Sequence, residues 1–365
     1  MSGDRCILLA AGGTGGHLFP AEALANELAA RGAAVELVTD ERALKYGGQF
    51  PARAIHSITS ATPTGGSVIS KATAVAKLGV GALQSMLLLR RLKPACVVGF
   101  GGYPTAPPLF AASVLGVPSI LHEQNAVMGR ANKFLAGRVK RIATGFPRLD
   151  GVGAEIAAKA QHTGNPVRPA VIAAAQTPYP SNDGVLRLLV TGGSQGARVM
   201  ADVVPAGIAA LPADLQTRVR VVQQARGEDE ARVREAYAQL GVTAEVAPFF
   251  NDLPQRIADA HLVVSRAGAS TVCELAVIGR PAILVPYPFA LDQDQAANAA
   301  ELSASGAVTV IRQPEFTPGR LSAEIAGAFA DPEGLTRRAA AAKSAGVPDA
   351  AARLADLVMA TARLG

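Results

Sequence analysis

The chain has 365 residues, enough for two domains with separate cores, and 49% of it is hydrophobic, which excludes a disordered protein. A net charge of +6 with no Trp and 4% aromatic residues fits an anionic membrane surface or a phosphate-rich substrate. It argues against a nucleic-acid partner read by base stacking. Cys6, Cys96 and Cys273 lie in apolar runs without metal-ligand spacing and read as small core residues of a reduced compartment.

The apolar run before Gly12 is too short for a signal peptide or a spanning helix. Residues 6–11 (CILLAA) read as a strand that runs into Gly12-Gly-Thr-Gly-Gly-His17, then a helix from about Pro20 to Arg31 and a strand over 35–39 (VELVT) ending at Asp40. This is a βαβ unit with a glycine-rich first turn, and Asp40 invites a dinucleotide reading. The fingerprint G-x-G-x-x-G fails, because its last position from Gly13 is Leu18, so NAD is only weakly signalled. Residues 67–91 read as a helical region mixing apolar residues with Lys71, Lys77, Arg90 and Arg91. Its most apolar part, 78–89, contains Gln84 and Ser85 and reads as too short to span a membrane. A strand over 95–99 feeds a second glycine turn, Gly99-Phe-Gly-Gly-Tyr-Pro104. A strand over 118–122 leads to Glu123-Gln-Asn125, and 141–144 is a short strand. The regular pattern then fades until Gly164-Asn-Pro-Val-Arg168 closes a first domain.

The pattern restarts with a strand over 186–191 and a third glycine turn, Gly192-Gly-Ser-Gln-Gly-Ala-Arg198, which is not a P-loop. A strand over 219–223, a charged helix over 228–240, and 246–250 leading through Asn251-Asp252 into a helix follow. Next comes an apolar strand over 261–265, the turn Arg266-Ala-Gly268, a helix over 269–278 stopped by Gly279-Arg-Pro281, and a strand over 281–286. A strand over 307–311 and a terminal helix over 350–364 complete the chain. The fold class is thus α/β: two Rossmann-like halves whose glycine turns face one cleft. The backbone N–H groups of Ala269, Ser270 and Thr271 lie at a helix N-terminus suited to a diphosphate. Glu274 has two readings, a carboxylate for ribose hydroxyls or the partner of Thr271 in a capping box.

With these turns in view, the sequence resembles a known family. Gly12 to Pro20 (GGTGGHxxP), His122 to Lys133 (HEQNAxxGxxNK), Gly164 to Arg168 (GNPVR), Gly192 to Arg198 (GGSQGAR) and Arg266 to Leu275 (RAGASTVCEL) carry the likeness over nearly the whole chain. It is to the bacterial UDP-N-acetylglucosamine:undecaprenyl-pyrophosphoryl-muramyl-pentapeptide N-acetylglucosaminyltransferases, the MurG family. The resemblance implies a two-domain GT-B glycosyltransferase. It would move GlcNAc from UDP-GlcNAc to the 4-hydroxyl of the muramyl sugar of lipid I, with inversion, as a peripheral protein on the cytoplasmic face of the inner membrane. It implies an acceptor- and membrane-facing domain over 1–165, joined by the terminal helix over 349–365, and a donor-binding domain over 166–348. No cofactor and no metal are implied.

The family's donor contacts fall on Thr14, Gly15 and Gly16 at the diphosphate and sugar, on Asn125 at the GlcNAc hydroxyls, and on Arg168 and Ser194 near the nucleotide and its phosphates. Phe250, where the family often has Ile, offers its backbone to uracil. Ala269, Ser270 and Thr271 hold the phosphates, Glu274 the ribose, and Gln295 the donor. Asp294 departs from the family's amide or imidazole. Asp292-x-Asp294 imitates a metal-binding D-x-D, which is discounted because the helix tip supplies the positive potential. His17 is the first candidate for the base, the alternative being that it only hydrogen-bonds the sugar or shapes its loop. Glu123 is the second, more readily read as a structural carboxylate. Outside this family, an NAD-dependent oxidoreductase and a non-enzymatic module for anionic lipid are the remaining classes.

Overall fold

The computed structural model describes residues 6–12, 15–40, 50–61, 68–193, 196–290 and 294–364, without the side chains of 68–70. Contacts divide the chain into two compact units, Met1–Arg168 with Pro348–Gly365, and Pro169–Val347.

The first unit runs β1 (Ile7–Ala10), α1 (Gly15–Ala30), β2 (Val35–Thr39), β3 (Ile55–Ser57), α2 (Val68–Leu92), β4 (Cys96–Gly99), α3 (Ala106–Leu115), β5 (Ser119–Glu123), α4 (Arg130–Ala136), β6 (Arg141–Thr144), α5 (Ala154–Ala157) and β7 (Ala160–His162). The seven strands are parallel, in the order β3-β2-β1-β4-β5-β6-β7. Consecutive side chains of β1 go to opposite faces, and both faces are covered. Ile7 and Leu9 join Leu24 and Leu28 of α1, while Leu8 and Ala10 join Leu89 of α2 and Leu109 of α3. That is why this strand reads as an unbroken apolar run. The short edge strands have no such run. β3 is held on β2 by the buried Glu36, whose carboxylate accepts from Arg53 at 2.7 Å and meets His56 Nε2 at 2.7 Å.

Two sequence expectations fail in this unit. Helix α1 begins at Gly15, not near Pro20, so Pro20 lies inside it and Gly15, Gly16 and His17 form its first turn. Proline favours the first helical position, but the glycines ahead of it here already take helical geometry. Helix α2 is continuous over 25 residues, and its Lys71–Leu92 segment, of hydropathy 1.5, is long and apolar enough to cross a membrane by length and composition. Gln84 and Ser85 do not interrupt it, because Gln84 accepts from the Thr59 N–H at 2.8 Å and Ser85 donates to the Gly81 carbonyl at 2.7 Å. Ala74, Gly81, Ser85 and Leu89 form its buried stripe. A methyl on Gly81 would collide with the Thr59 carbonyl, so this close approach needs glycine. Val75, Val80, Leu83 and Leu87 are exposed.

The second unit runs α6 (Pro169–Ala174), β8 (Leu186–Thr191), α7 (Arg198–Ala209), α8 (Ala213–Gln216), β9 (Val219–Gln224), α9 (Gly227–Gln239), β10 (Thr243–Ala247), α10 (Leu253–Asp259), β11 (Leu262–Ser265), α11 (Ala269–Ile278), β12 (Ala282–Leu284), α12 (Asp294–Ala304), β13 (Val308–Val310), α13 (Pro318–Ala330) and α14 (Pro332–Ala345). Its six parallel strands take the order β10-β9-β8-β11-β12-β13. Arg280, fully buried just after α11, donates to the carbonyls of Ala258, Ile278, Gly279, Thr177 and Pro178. It gathers the ends of α10 and α11 and the segment after α6 onto one cation, satisfying carbonyls that burial would otherwise leave unpaired. The chain then returns to the first unit as α15 (Ala350–Ala362), which packs on α1 and β4 with Leu354, Leu357 and Val358 in their core.

Candidate active site

In each unit the strand order reverses beside the first strand, between β1 and β4 and again between β8 and β11. Open parallel sheets bind ligands beyond the carboxyl ends of the strands at such switch points.

In the first unit the switch point is occupied by His17. Its half-buried ring hydrogen-bonds the Gly12 backbone, and burial pushes its pKa below the ordinary value of 6.5, that bond opposing the shift. Donation of one ring N–H to the backbone leaves the other nitrogen as an acceptor, the state a base requires. The ring lies on the second glycine turn: a Cβ at Gly102 would sit 3.4 Å from its Cε1, and one at Gly101 3.5 Å from its Cδ2. Gly101 and Gly102 have φ of 86° and 75°, so this turn needs glycine for its backbone as well as for the approach of the imidazole.

Glu123 closes β5 and is almost fully buried. One carboxylate oxygen accepts from the Asn125 backbone N–H at 2.9 Å and its Nδ2 at 3.4 Å. The other accepts from Gly129 N–H at 3.0 Å and Asn132 Nδ2 at 2.6 Å. Burial pushes its pKa up and these bonds oppose the shift. Four donors and no acceptor leave no place for a proton, so the carboxylate is charged and its oxygens are committed. Glu123 thus organises the Asn125 loop, its oxygens engaged by donors of that loop and of α4. Around it Gln124 donates to the Phe100 carbonyl at 2.9 Å, Asn165 to the Gln124 carbonyl at 2.8 Å, and His122 Nε2 lies 3.2 Å from the Gly164 carbonyl. His122 is fully buried beside Phe100, and desolvation lowers its pKa to about 4. The second glycine turn, the Asn125 loop and the 164–165 segment are thus one network at one sheet edge. Arg168 lies over the Phe19 ring at 4.1 Å and attracts Glu22 of α1. Thr14 lies outside the described residues.

In the second unit the switch point is the N-terminus of α11. Its N-cap is Gly268, at φ −64° and ψ 144°, with no side-chain cap, and the first intrahelical bond runs from Val272 N–H to Gly268 C=O at 3.0 Å. Thr271 is therefore the third helical residue and cannot be an N-cap. The capping box of Thr271 with Glu274 does not form, because the S/T-x-x-E pattern would start the helix one turn too late. Ala269, Ser270 and Thr271 carry N–H groups without intrahelical acceptors at the positive end of the helix. Glu274 is buried one turn further on.

The surrounding loops are fixed by side chains. Arg266 donates to the Val285 and Pro286 carbonyls at 3.0 and 3.3 Å and to Gln313 at 2.6 Å. Gln295, in the first turn of α12, accepts through Oε1 from the N–H groups of Ala267 at 3.3 Å and Tyr287 at 3.0 Å, so its oxygen braces the loop before α11. Gln224 was not singled out in the sequence. Its Oε1 accepts from Thr191 Oγ1 at 2.9 Å and Gly192 N–H at 3.2 Å, and its Nε2 donates to Pro248 at 3.2 Å. It joins the third glycine turn to the segment carrying Phe250. The Phe250 ring is buried with Arg256 4.3 Å above it. Ser194 and Asp292 lie outside the described residues; Asp294 accepts from the Gln295 N–H at 2.8 Å. Among the described residues, no group of three His, Cys, Asp or Glu could hold a metal ion.

Two family domains match the chain, the glycosyltransferase family 28 N-terminal domain over residues 7–144 and its C-terminal domain over 187–354. A UDP-N-acetylglucosamine--N-acetylmuramyl-(pentapeptide) pyrophosphoryl-undecaprenol N-acetylglucosamine transferase of Methylobacterium nodulans is 61% identical over 360 residues, 98% of this chain and 96% of that one. The same-named protein of Brucella suis is 57% identical over 365 residues, covering 99% and 96%. The crystal structure of Acinetobacter baumannii MurG superposes with a TM-score of 0.79 at 28% identity, covering 98% of this chain and 99% of that one. The calicheamicin glycosyltransferase CalG4, 17% identical with a TM-score of 0.67 over 99% of both chains, shares the fold. The chain belongs to glycosyltransferase family 28, and within it to the UDP-N-acetylglucosamine--N-acetylmuramyl-(pentapeptide) pyrophosphoryl-undecaprenol N-acetylglucosamine transferases, enzymes of the two-domain GT-B fold.

Proposed function

We propose that this chain transfers N-acetylglucosamine from UDP-N-acetylglucosamine to the 4-hydroxyl of the muramyl sugar on undecaprenyl-pyrophosphoryl-pentapeptide, with inversion, converting lipid I to lipid II. The observation that carries the reading is the glycine-capped N-terminus of α11 at the switch point of the second sheet. The N–H groups of Ala269, Ser270 and Thr271 hold the donor diphosphate, with Ser194 and Arg168 beside it. Glu274 accepts from the ribose hydroxyls, the backbone at Phe250 reads uracil, and the Gln295 amide nitrogen reaches the sugar. In the first unit Thr14, Gly15, Gly16 and Asn125 orient the transferred sugar. His17 takes the proton from the acceptor hydroxyl as that oxygen bonds to C1. The C1–O bond to phosphate breaks, and UDP leaves with the electron pair, its charge stabilised by about 3–4 kcal/mol per well-placed donor.

The first unit faces the cytoplasmic surface of the inner membrane as a peripheral contact. Val75, Val80, Leu83 and Leu87 enter the bilayer boundary and Lys71 and Lys77 meet anionic headgroups, each cation adding about 1 kcal/mol, screened by salt. Lys133, Lys140 and Arg141 extend this basic rim; the side chains of Val68 and Ile69 lie outside the described residues. The packed stripe of α2 supports a helix lying on the membrane rather than crossing it.

Thermal shift and a transfer assay test the reading together. UDP and UDP-N-acetylglucosamine raise the melting temperature, NADH leaves it alone, and labelled sugar moves to a lipid-linked acceptor. Stabilisation by NADH, or no transfer at any pH, overturns it. Vesicle flotation tests the membrane contact, which is sunk by an absence of binding at low salt.

A further inference from the structure

Phe19 stands inside the run from Gly12 to Pro20 and carries no role in the transfer described above. It follows His17 by two residues on α1, and its half-buried ring meets two residues assigned to the donor, Gly15 and Arg168. The tip of the ring presses on Gly15. A Cβ there would sit 3.1 Å from both Cε2 and Cζ, so a methyl would push the ring aside. The guanidinium of Arg168 lies over the same ring, 4.1 Å from its centroid. Among the described residues this is the closest of the six cation–ring contacts.

Arg168 ends a segment with a fixed backbone. The Thr163 and Gly164 N–H groups donate to the Thr144 carbonyl at 3.1 Å, and Asn165 donates to the Gln124 carbonyl at 2.8 Å. The long side chain beyond still has rotamer freedom to lose on binding a phosphate. A guanidinium stacks by its face and hydrogen-bonds by its edge. A ring against that face removes freedom without consuming an N–H. A carboxylate partner would take the N–H groups that a phosphate needs.

The competing account is Glu22, one turn after Phe19 on the same side of α1. Glu22 is half-buried; burial raises its pKa, and the charge of Arg168 opposes that shift. On this account Arg168 only offsets a carboxylate. That explains a cation near α1. It does not explain a ring lodged between the cation and a glycine, because attraction between charges requires neither the contact with the ring nor the close approach at Gly15.

We propose that Phe19 is a positioning residue for the donor: its ring holds the Arg168 guanidinium by the face and turns the N–H edge toward the diphosphate, beside the glycine turn on which the ring rests. The assignment rests on the donor site proposed above, with Arg168 at the phosphates.

The test measures the affinity of the full-length protein for UDP and for uridine by calorimetry, with donor KM and kcat beside it. Phe19→Leu removes the aromatic face. It is expected to weaken UDP by about threefold to tenfold, the worth of one cation–π contact, with uridine unchanged. Donor KM rises by the same factor and kcat changes little. Phe19→Met keeps the volume without the ring and is expected to lose as much; it also serves should the leucine variant not fold. Phe19→Tyr keeps the face and is expected to bind UDP as the parent does. In combination with Arg168→Gln, Phe19→Leu is expected to add no further loss, because the ring acts through that cation. Parent-like UDP affinity without the ring overturns the proposal, and so does an equal loss for uridine. Glu22→Gln decides the competing account: UDP affinity at or above the parent's supports the ring, and a loss as large as that of Phe19→Leu overturns it. A parent that binds no UDP sinks the donor reading itself. A parent that binds UDP while Arg168→Gln costs nothing sinks this proposal alone.

Discussion

His122 is a buried histidine with no catalytic assignment, and the fold makes it report on acid stability. Its ring is fully buried against Phe100, with Nε2 on the Gly164 carbonyl, and desolvation holds its pKa at about 4. In the unfolded chain the same ring titrates near 6.5. The folded pKa lies below the unfolded one, so between those values the unfolded state binds the proton and the folded state does not. Stability is therefore complete above pH 6.5 and is lost as pH falls toward 4, by about 3 kcal/mol in all. Many carboxylates titrate in the same window, so the measurement is a difference. His122→Gln keeps an N–H for the Gly164 carbonyl and removes the titration. Urea unfolding of parent and variant at steps from pH 7 to pH 4, followed through the transition of the first unit, gives the two curves. The parent should lose about 3 kcal/mol more than the variant over that range. Parallel curves would refute the claim that His122 is held neutral by burial.

His17→Ala should lower turnover by about a hundredfold to ten-thousandfold with UDP affinity unchanged, and the acid limb of kcat/KM in the parent should inflect below pH 6.5, because burial lowers the pKa of this base. Near-normal turnover removes the assignment. Glu274→Ala should weaken UDP binding by about tenfold to hundredfold in calorimetry with little change in melting, since no capping bond is lost. Unchanged UDP affinity would end the ribose role. Glu123→Gln turns an amide NH2 toward two of the four donors that the carboxylate accepts. It should lower the melting temperature and weaken UDP-N-acetylglucosamine relative to UDP, because Asn125 serves the sugar. Equal loss for both ligands would disconnect that loop from the sugar.

The sheets were legible because parallel strands buried on both faces leave unbroken apolar runs, as in Ile7–Ala10 and residues 262–264. Helix α11 was read to its ends because glycines flank it at 268 and 279, the latter left-handed at φ 78°. The edge strands Ile55–Ser57 and Ala160–His162 escaped notice because three exposed or half-buried residues carry no periodic pattern. Helices α12 and α14, rich in alanine, bury only short stripes and were passed over, and α13 was passed over although Leu321, Ile325 and Ala328 recur at helical spacing. In the site, residue types were readable and contacts were not. Nothing near His17 in sequence says that its ring rests on Gly101 and Gly102, and nothing near Gln224 says that it joins two loops. Pairings across such separations follow from strand order, which no local motif encodes.

The position of α15 has a consequence for how the protein is made. Leu354, Leu357 and Val358 complete the core that Ile7 and Leu9 begin, and the whole second unit lies between them in the chain. During synthesis the first unit emerges from the ribosome with the part of this core that α15 covers, beside α1, still open, and it stays so while the second unit is translated. At about 5–20 residues per second that interval lasts on the order of ten to forty seconds. The nascent first unit is thus an apolar surface waiting for its last helix, a substrate for chaperones at this stage, and the second unit is the first that can finish folding.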